Sequence, residues 1–384
     1  MYTRQKPCEP VRAPDQQACS RLVRLGECAP SRKILGQPQR LPRRRPEEAR
    51  TPMKIALTHR SALEALSVLA TRSDVDNFPR TSLPAGFVSN AGAAQIECLQ
   101  RAYCLREPIQ TLSCAAASRR GRGSLERHRF NPASMAQGFI ELEPAVFSSS
   151  PELCFIQLCN ELDIVDAMRL LGWMAGTYSL DCDGNLDYAE REPLITKESL
   201  ADAARRFNGV HGIASARRAA RYAPFRCASP KESEVGILLQ LPGELGGCGF
   251  PAAHVNLEQT LTPKQQRLLH RRSFKCDFFW ADKQVAVEYD SKGFHSDADR
   301  IERDAVRRNS LEYLGITVLT LTWNQLRDHA AFETFATQLA SHLGIRLRDS
   351  WQRHRYDRAR LHRRLILEKP SAELVSLGYG RFWK

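Results

Sequence analysis

The run Val285-Ala286-Val287-Glu288-Tyr289-Asp290 places two carboxylates two residues apart in an otherwise apolar, β-branched segment. Side chains alternate between the faces of a strand, so Val285, Val287 and Tyr289 point one way and Ala286, Glu288 and Asp290 the other. The two acids then stand about 7 Å apart along one face. Just upstream, Phe274-Lys275-Cys276-Asp277-Phe278-Phe279-Trp280 reads as a strand with a single acid, joined to the first by a short turn at Asp282-Lys283. Across that hairpin Asp277 meets Glu288 and Asp290, and three acids converge at one end of a largely apolar sheet. Unpaired, they would repel one another and suffer desolvation. A divalent cation relieves both problems: Mg²⁺ takes one or two carboxylates together with waters and substrate phosphate, and Mn²⁺ takes similar oxygen donors. His295, five residues past Asp290 and just after Gly293, is placed to orient a water or stabilise a leaving oxygen. The acids can equally pair with Lys275, Lys283 or Lys292 in a solvated hairpin, and spacing alone leaves that alternative open.

Four elements are needed to position these groups. Ser229-Pro230-Lys231-Glu232 starts a helix, with serine as cap, proline at the first helical position and the apolar continuation Val235, Leu238, Leu239. A Gly/Pro-rich loop and a short strand near Val255 lead into the acid-bearing hairpin. A polar helix from about Asp297 to Leu314 then passes through Gly315 into Ile316-Thr317-Val318-Leu319-Thr320-Leu321, which is β-branched enough for a buried strand.

In this order of elements and acids, residues from about 227 to 326 resemble the PD-(D/E)XK nuclease superfamily, and most closely its branch similar to very-short-patch mismatch-repair endonucleases. That branch carries an acid on the first strand, then Glu-x-Asp-Gly and a histidine. Here the motif stands as Asp277, Glu288-Tyr289-Asp290-Ser291 and His295, with serine where glycine is usual. Asp290 takes the position of the superfamily lysine, and Lys292 is near enough in sequence to supply the missing positive charge. Asp304-Ala305-Val306-Arg307-Arg308-Asn309 resembles the following helix of the family, although an Asp304–Arg308 salt bridge at i,i+4 explains that pair equally well. Residues from Met53 to about Ala220 more loosely resemble the N-terminal regions of abortive-infection-type antitoxin and regulator proteins. The resemblance implies an α/β fold: a three-layer restriction-endonuclease-like domain with a central mixed sheet between the Glu232 helix and the 297–314 helix, preceded by a mixed α/β N-terminal domain. It implies a Mg²⁺-dependent endonuclease acting on DNA, with Asp277, Glu288 and Asp290 as metal ligands. Glu232 would orient a ligand or a water, and His295 would assist proton transfer. The rival expectation is a non-catalytic DNA-binding regulator that retains the nuclease fold.

The chain of 384 residues has room for two domains, and 42% hydrophobic with 26% charged residues is ordinary globular usage. Its most apolar stretch, Phe155 to Gly176, is broken by Glu161, Asp163, Asp166 and Arg169, which excludes a membrane-spanning helix there. Twelve scattered cysteines without a CxxC pair read as reduced thiols of a cytoplasmic protein. The net charge of +13 is concentrated at the ends: residues 1–52 and 345–384 each carry +7, and the part between them is near neutral. Residues 1–52, rich in proline and without apolar periodicity, read as a disordered basic arm or as translated sequence upstream of a start at Met53. Residues 53–220 read as a mixed α/β domain, opening with a strand at Met53–Thr58 and a helix capped by Ser61. Residues 221–344 are the nuclease-like domain and 345–384 a basic helical tail. In that tail Arg353, Arg355, Arg358, Arg360, Arg363 and Arg364 are expected to contact phosphates without regard to sequence, or to be simply solvated. Arg119-Arg120-Gly121-Arg122-Gly123 reads as a solvated loop, and Asp181-Cys182-Asp183-Gly184 as a hairpin turn in preference to a calcium loop.

Overall fold

A computed structural model of the protein describes residues 54–72, 78–114, 124–178, 190–290, 298–347 and 349–379. The basic arm 1–52, the Arg119–Gly123 patch, the Asp181–Asp187 turn, and Lys292 and His295 lie outside the described residues, as does the side chain of Asp304.

The first apolar run forms strand β1 (Ile55–Leu57), which enters helix α1 (His59–Arg72). Ser61 lies inside α1 and does not cap it; its hydroxyl accepts the Gln110 N–H at 2.9 Å, tying the helix to the next sheet strand. Five further strands complete a mixed sheet in the order β2-β5-β6-β1-β3-β4: β2 (Arg80–Thr81), β3 (Ile109–Ser113), β4 (Leu125–Arg129), β5 (Phe139–Glu143) and β6 (Val146–Ser149). Helix α2 (Ala93–Tyr103) precedes β3. The fully buried Leu63 and Leu66 of α1 belong to the same core as Ile55 and Leu57.

Ser150 and Asp163 cap the two most buried helices, α3 (Pro151–Leu158) and α4 (Ile164–Met174), by accepting N–H groups of their first turns. Around Asn208-Gly209 the helical stretch breaks into α5 (Lys197–Arg206) and α6 (Ile213–Tyr222). Ser229 then caps α7 (Pro230–Gln240) by accepting the Glu232 N–H, with proline in the first turn, as its sequence predicts.

After α7 come β7 (His254–Val255), β8 (Glu258–Thr260), α8 (Pro263–Leu269), β9 (Ser273–Lys275), β10 (Phe278–Trp280), β11 (Val285–Asp290), α9 (Ala298–Tyr313) and β12 (Thr317–Thr322). The segment read as one strand over 274–280 is two. β9 pairs with β8 in a small sheet of its own, whereas β10 joins a four-stranded sheet ordered β12-β11-β10-β7. The break falls at Cys276-Asp277, where the Asn256 N–H bonds both carbonyls, at 3.1 and 3.2 Å. β10 and β11 are antiparallel with Phe278 opposite Val287, and β11 runs parallel to β12 through the α9 crossover.

The period-two reading of β11 holds on both faces. Val285 and Val287, with Phe278 and Trp280, join the main core on the α7 side, where a Cβ on Gly236 would sit 3.1 Å from the Phe278 ring. Ala286 and Phe279 pack with Cys276, Leu311 and Ile316 in a second cluster under α9. The sheet is therefore a middle layer between α7 and α9. The chain closes with α10 (Trp323–Arg327), α11 (His329–His342), α12 (Asp349–Arg353), α13 (Arg355–His362), a π-helical turn at 363–367, and α14 (Ala372–Ser376).

Residues 51–384 form one compact unit, and one apolar core runs from Ile55 through Ala219 and Cys227 to Tyr379. Packing does not lapse at position 220. Among the described residues no helix is long and apolar enough to cross a membrane.

Candidate functional site

Asp277 sits in the gap between β9 and β10, where its side chain is free to turn back on the hairpin. Its Oδ2 accepts the Tyr289 N–H at 2.7 Å, fixing the carboxylate against β11 between Glu288 and Asp290. Glu232, in the first turn of α7, is buried and held by three donors. Its Oε2 accepts from the Ala228 N–H and the Asn256 Nδ2, both at 2.7 Å, and its Oε1 from the Ser229 hydroxyl at 2.9 Å. The Oε1 of Glu288 accepts from the Arg307 Nη2 of α9 at 2.6 Å, and the same nitrogen donates to the Lys275 carbonyl at 2.5 Å.

The electrostatics join these groups. Burial, then the charges of Glu232 and Glu288, push the Asp277 carboxyl up to about 7, against the opposing pull of the Tyr289 N–H and Arg307. Burial and the neighbouring Glu288 also raise the Cys276 thiol beyond its ordinary range. For Arg307, burial acts downward but Glu288, Cys276 and Asp277 together outweigh it, so the guanidinium holds its proton more firmly than usual. The structure thus brings Asp277, Glu232 and Glu288 within reach of one another's charge. Asp290 stands beside them, lining a cleft of about 180 Å³ with Glu288, Arg307, Arg308 and Thr320.

The donor chemistry, carboxylate oxygen, is of the kind a hard divalent cation takes. Among the described residues, however, no group of three His, Cys, Asp or Glu side chains is disposed to hold a metal ion. Among the described residues the cation at Glu288 is Arg307, and not Lys275 or Lys283 as a solvated hairpin would have it.

Two residues of this site, Asn256 and Arg307, are not among those the sequence motif singles out. Asn256 is buried at a left-handed φ of +48° and links α7 to β10 through Glu232. Asn tolerates that conformation better than most residues, so an asparagine after a short strand was the available hint. Arg307 stood in the helix run Asp304–Asn309, with nothing to mark it as the partner of Glu288.

The C-terminal arginines require a correction. Arg358 is 4% exposed, stacks 3.6 Å from the Trp351 ring centre, and pairs with Glu333 at 2.7 Å. Arg364 pairs with Asp163 and, at 3.2 Å, with Asp166. These two brace the fold. Arg360 and Arg363 remain exposed beside Asp357 and Glu368, Arg355 donates to the Tyr356 hydroxyl, and Arg353 is exposed. Leu365, Ile366, Leu374 and Tyr379 are buried, so the described part of 345–384 is an integral element and not a solvated tail.

Its anchor is a buried charge cluster. Arg169, fully buried in α4, bonds Asp166 and Glu234 at 3.2 Å and donates to the carbonyls of Arg364 and Leu365 at 2.9 and 3.0 Å. Lys231 bonds the other oxygen of Glu234 at 2.8 Å. Asp166 and Arg169, which interrupt the apolar run in sequence, are therefore the core's own ion pair.

No family model matches the chain, and no solved structure does. The sequence is similar to two proteins of Mycobacterium tuberculosis described as uncharacterized, one from strain CDC 1551 / Oshkosh and one from strain ATCC 25618 / H37Rv. Each is 26% identical over 161 residues, covering 41% of this chain and 53% of the relative. The chain thus spans about half the length of the curated relatives it matches.

Proposed function

We propose that the α7–β12 segment is a metal-dependent DNA endonuclease centre of restriction-endonuclease-like fold. The observation that carries this reading is Asp277: a carboxyl pushed up to about 7 by burial and by two neighbouring acids is held where a cation is wanted. Asp277, Glu288 and Asp290 would hold Mg²⁺ or Mn²⁺, which would activate water and offset charge on the phosphoryl oxygens. Glu232, fixed by Ala228, Ser229 and Asn256, would orient a water or a ligand carboxylate. Arg307 sits on the same cleft and would meet the scissile phosphate as Glu288 turns to metal. His295 would assist proton transfer. The layered order α7, sheet, α9 supports the fold, and the reduced thiols fit a cytoplasmic setting.

A second reading has its own observation. The Arg307–Glu288 pair already supplies one acid with a counter-ion, which suits a DNA-binding regulator that does not cut. Incubating supercoiled plasmid with the protein in Mg²⁺, Mn²⁺ or EDTA, beside a duplex-binding assay, separates the two. Nicking that EDTA abolishes supports the enzyme; binding with no cleavage at millimolar metal assigns the regulator.

A further inference from the structure

The phosphate surface read into the C-terminal arginines has a better candidate in α6. From Ala203 to Lys231 the chain carries six arginines and one lysine, and no aspartate or glutamate. Arg205 and Arg206 share Asp202, and Arg217 caps the end of α5 through the Ala204 carbonyl and Asn208. Arg218, Arg221 and Arg226 are exposed, and their guanidinium groups make no hydrogen bond or ion pair to side chains or backbone among the described residues. Arg218 and Arg221, three apart on a helix, project to the same side.

The backbone that carries them is anchored. Ala216 and Ala219 are buried on the inner face of α6. Gly212, at φ +91°, brings the helix start so close to α3 that a Cβ would lie 2.0 Å from the Ile156 carbonyl oxygen. Beyond the helix, the Arg226 N–H bonds the Ala175 carbonyl at 2.9 Å, two residues before the Ala228 N–H that holds Glu232. Glu232 follows Arg226 by six positions, at most about 20 Å of chain. Ordinary protein surfaces intersperse both signs of charge; here a stretch of chain without an acid, carrying three exposed guanidinium groups, leads to an acid cluster.

We propose that Arg218, Arg221 and Arg226 form a sequence-independent contact surface for the phosphate backbone of duplex DNA, laying it toward the Asp277 centre. The direction of approach rests on the nuclease reading; the binding itself does not. Three phosphates neutralised should contribute a slope of about −2.7 to log affinity against log salt, at about 0.9 per phosphate.

The test is anisotropy of a labelled 20-bp duplex with the full chain in EDTA, so that cleavage is silent, over 50 to 200 mM salt. R218Q/R221Q/R226Q should flatten the slope by about 2.7, which makes its affinity loss over that range about forty-fold smaller than wild type's. R218K/R221K/R226K should keep most of the slope, because a point charge suffices for phosphate. R101Q, on an exposed arginine paired with Glu97 far along the chain, should leave the slope as in wild type. Melting curves should coincide, since all three positions are exposed.

An unchanged slope in the glutamine triple overturns the inference and leaves the nuclease reading to the plasmid assay. Wild type that binds phosphatidylserine vesicles but no duplex overturns DNA as the partner.

Discussion

The side-chain amide of Asn256 donates to Glu232 at 2.7 Å while its backbone N–H donates to the Asp277 carbonyl at 3.2 Å, so one residue joins the helix acid to the strand acid. Its φ of +48° favours asparagine or glycine. Asn256→Gly keeps the backbone and removes the amide, leaving Glu232 short of a donor in a buried place. It should cost about 1–3 kcal/mol by urea denaturation, and Asn256→Ala about 1 kcal/mol more for the left-handed backbone. Equal losses for the two would show that the amide, and not the turn, is all that matters.

Asp277 titrates in the folded chain near 7, against 3.8 for the free group, so the folded state holds this proton more tightly than the unfolded state. The stability it contributes is fully present below about 3.8 and is lost as pH rises through about 7. Asp277→Asn removes the charge, so in EDTA it should melt higher than wild type at pH 8 and close to it at pH 4. Millimolar Mg²⁺ should raise the wild-type Tm at pH 8 and not the variant's, because a ligand of the folded state alone stabilises it by mass action. A gap in Tm that is the same at pH 4 and pH 8 would remove the physical basis for a cation here.

Much of this centre was legible in the sequence because it depends on local rules. Alternation assigned Val287 to one face of β11 and Glu288 to the other, and Ser229-Pro230 announced α7 by its cap. The partners were not legible, because they come from distant chain. Arg358 finds Glu333 and Arg364 finds Asp163, over separations of 25 and 201 residues, and only folding tells them from the exposed Arg360. Composition counts charges; it does not pair them. The strand break at Cys276-Asp277 was hidden for a like reason, since the Asn256 N–H that bonds both carbonyls lies twenty residues upstream.

Arg307 decides between a metal and a built-in counter-ion. The Arg307–Glu288 pair is 38% and 24% exposed at its side chains, so its loss should cost about 1 kcal/mol or less. Arg307→Gln leaves Glu288 and Asp277 with less positive charge nearby. If the cleft takes a cation, Mg²⁺ should then stabilise the variant more than wild type, read as the shift in Tm on metal addition. A variant that loses its stability and gains nothing from Mg²⁺ assigns Arg307 as the permanent partner and favours the regulator.

Arg169 tests how the C-terminal segment is held. It is fully buried with Asp166 and Glu234, and its remaining donors reach the carbonyls of Arg364 and Leu365. Arg169→Met fills similar space but strands two buried acids and frees two carbonyls. Breaking a buried pair from one side costs about 3–5 kcal/mol, most of it the desolvated charge left behind. Glu234 keeps Lys231 and Asp166 keeps Arg364, so the lower end of that range is expected here. Glu234→Gln in the Arg169→Met background removes one stranded charge and should recover part of the loss, with a coupling of about 1–3 kcal/mol in a double-mutant cycle. Limited proteolysis should cut Arg169→Met first between α13 and α14, because those carbonyls fasten the π-helical turn to α4. Strict additivity of the two substitutions, with the C-terminal segment as protease-resistant as in wild type, would mean that apolar packing of Leu365 and Tyr379 holds the segment without the arginine.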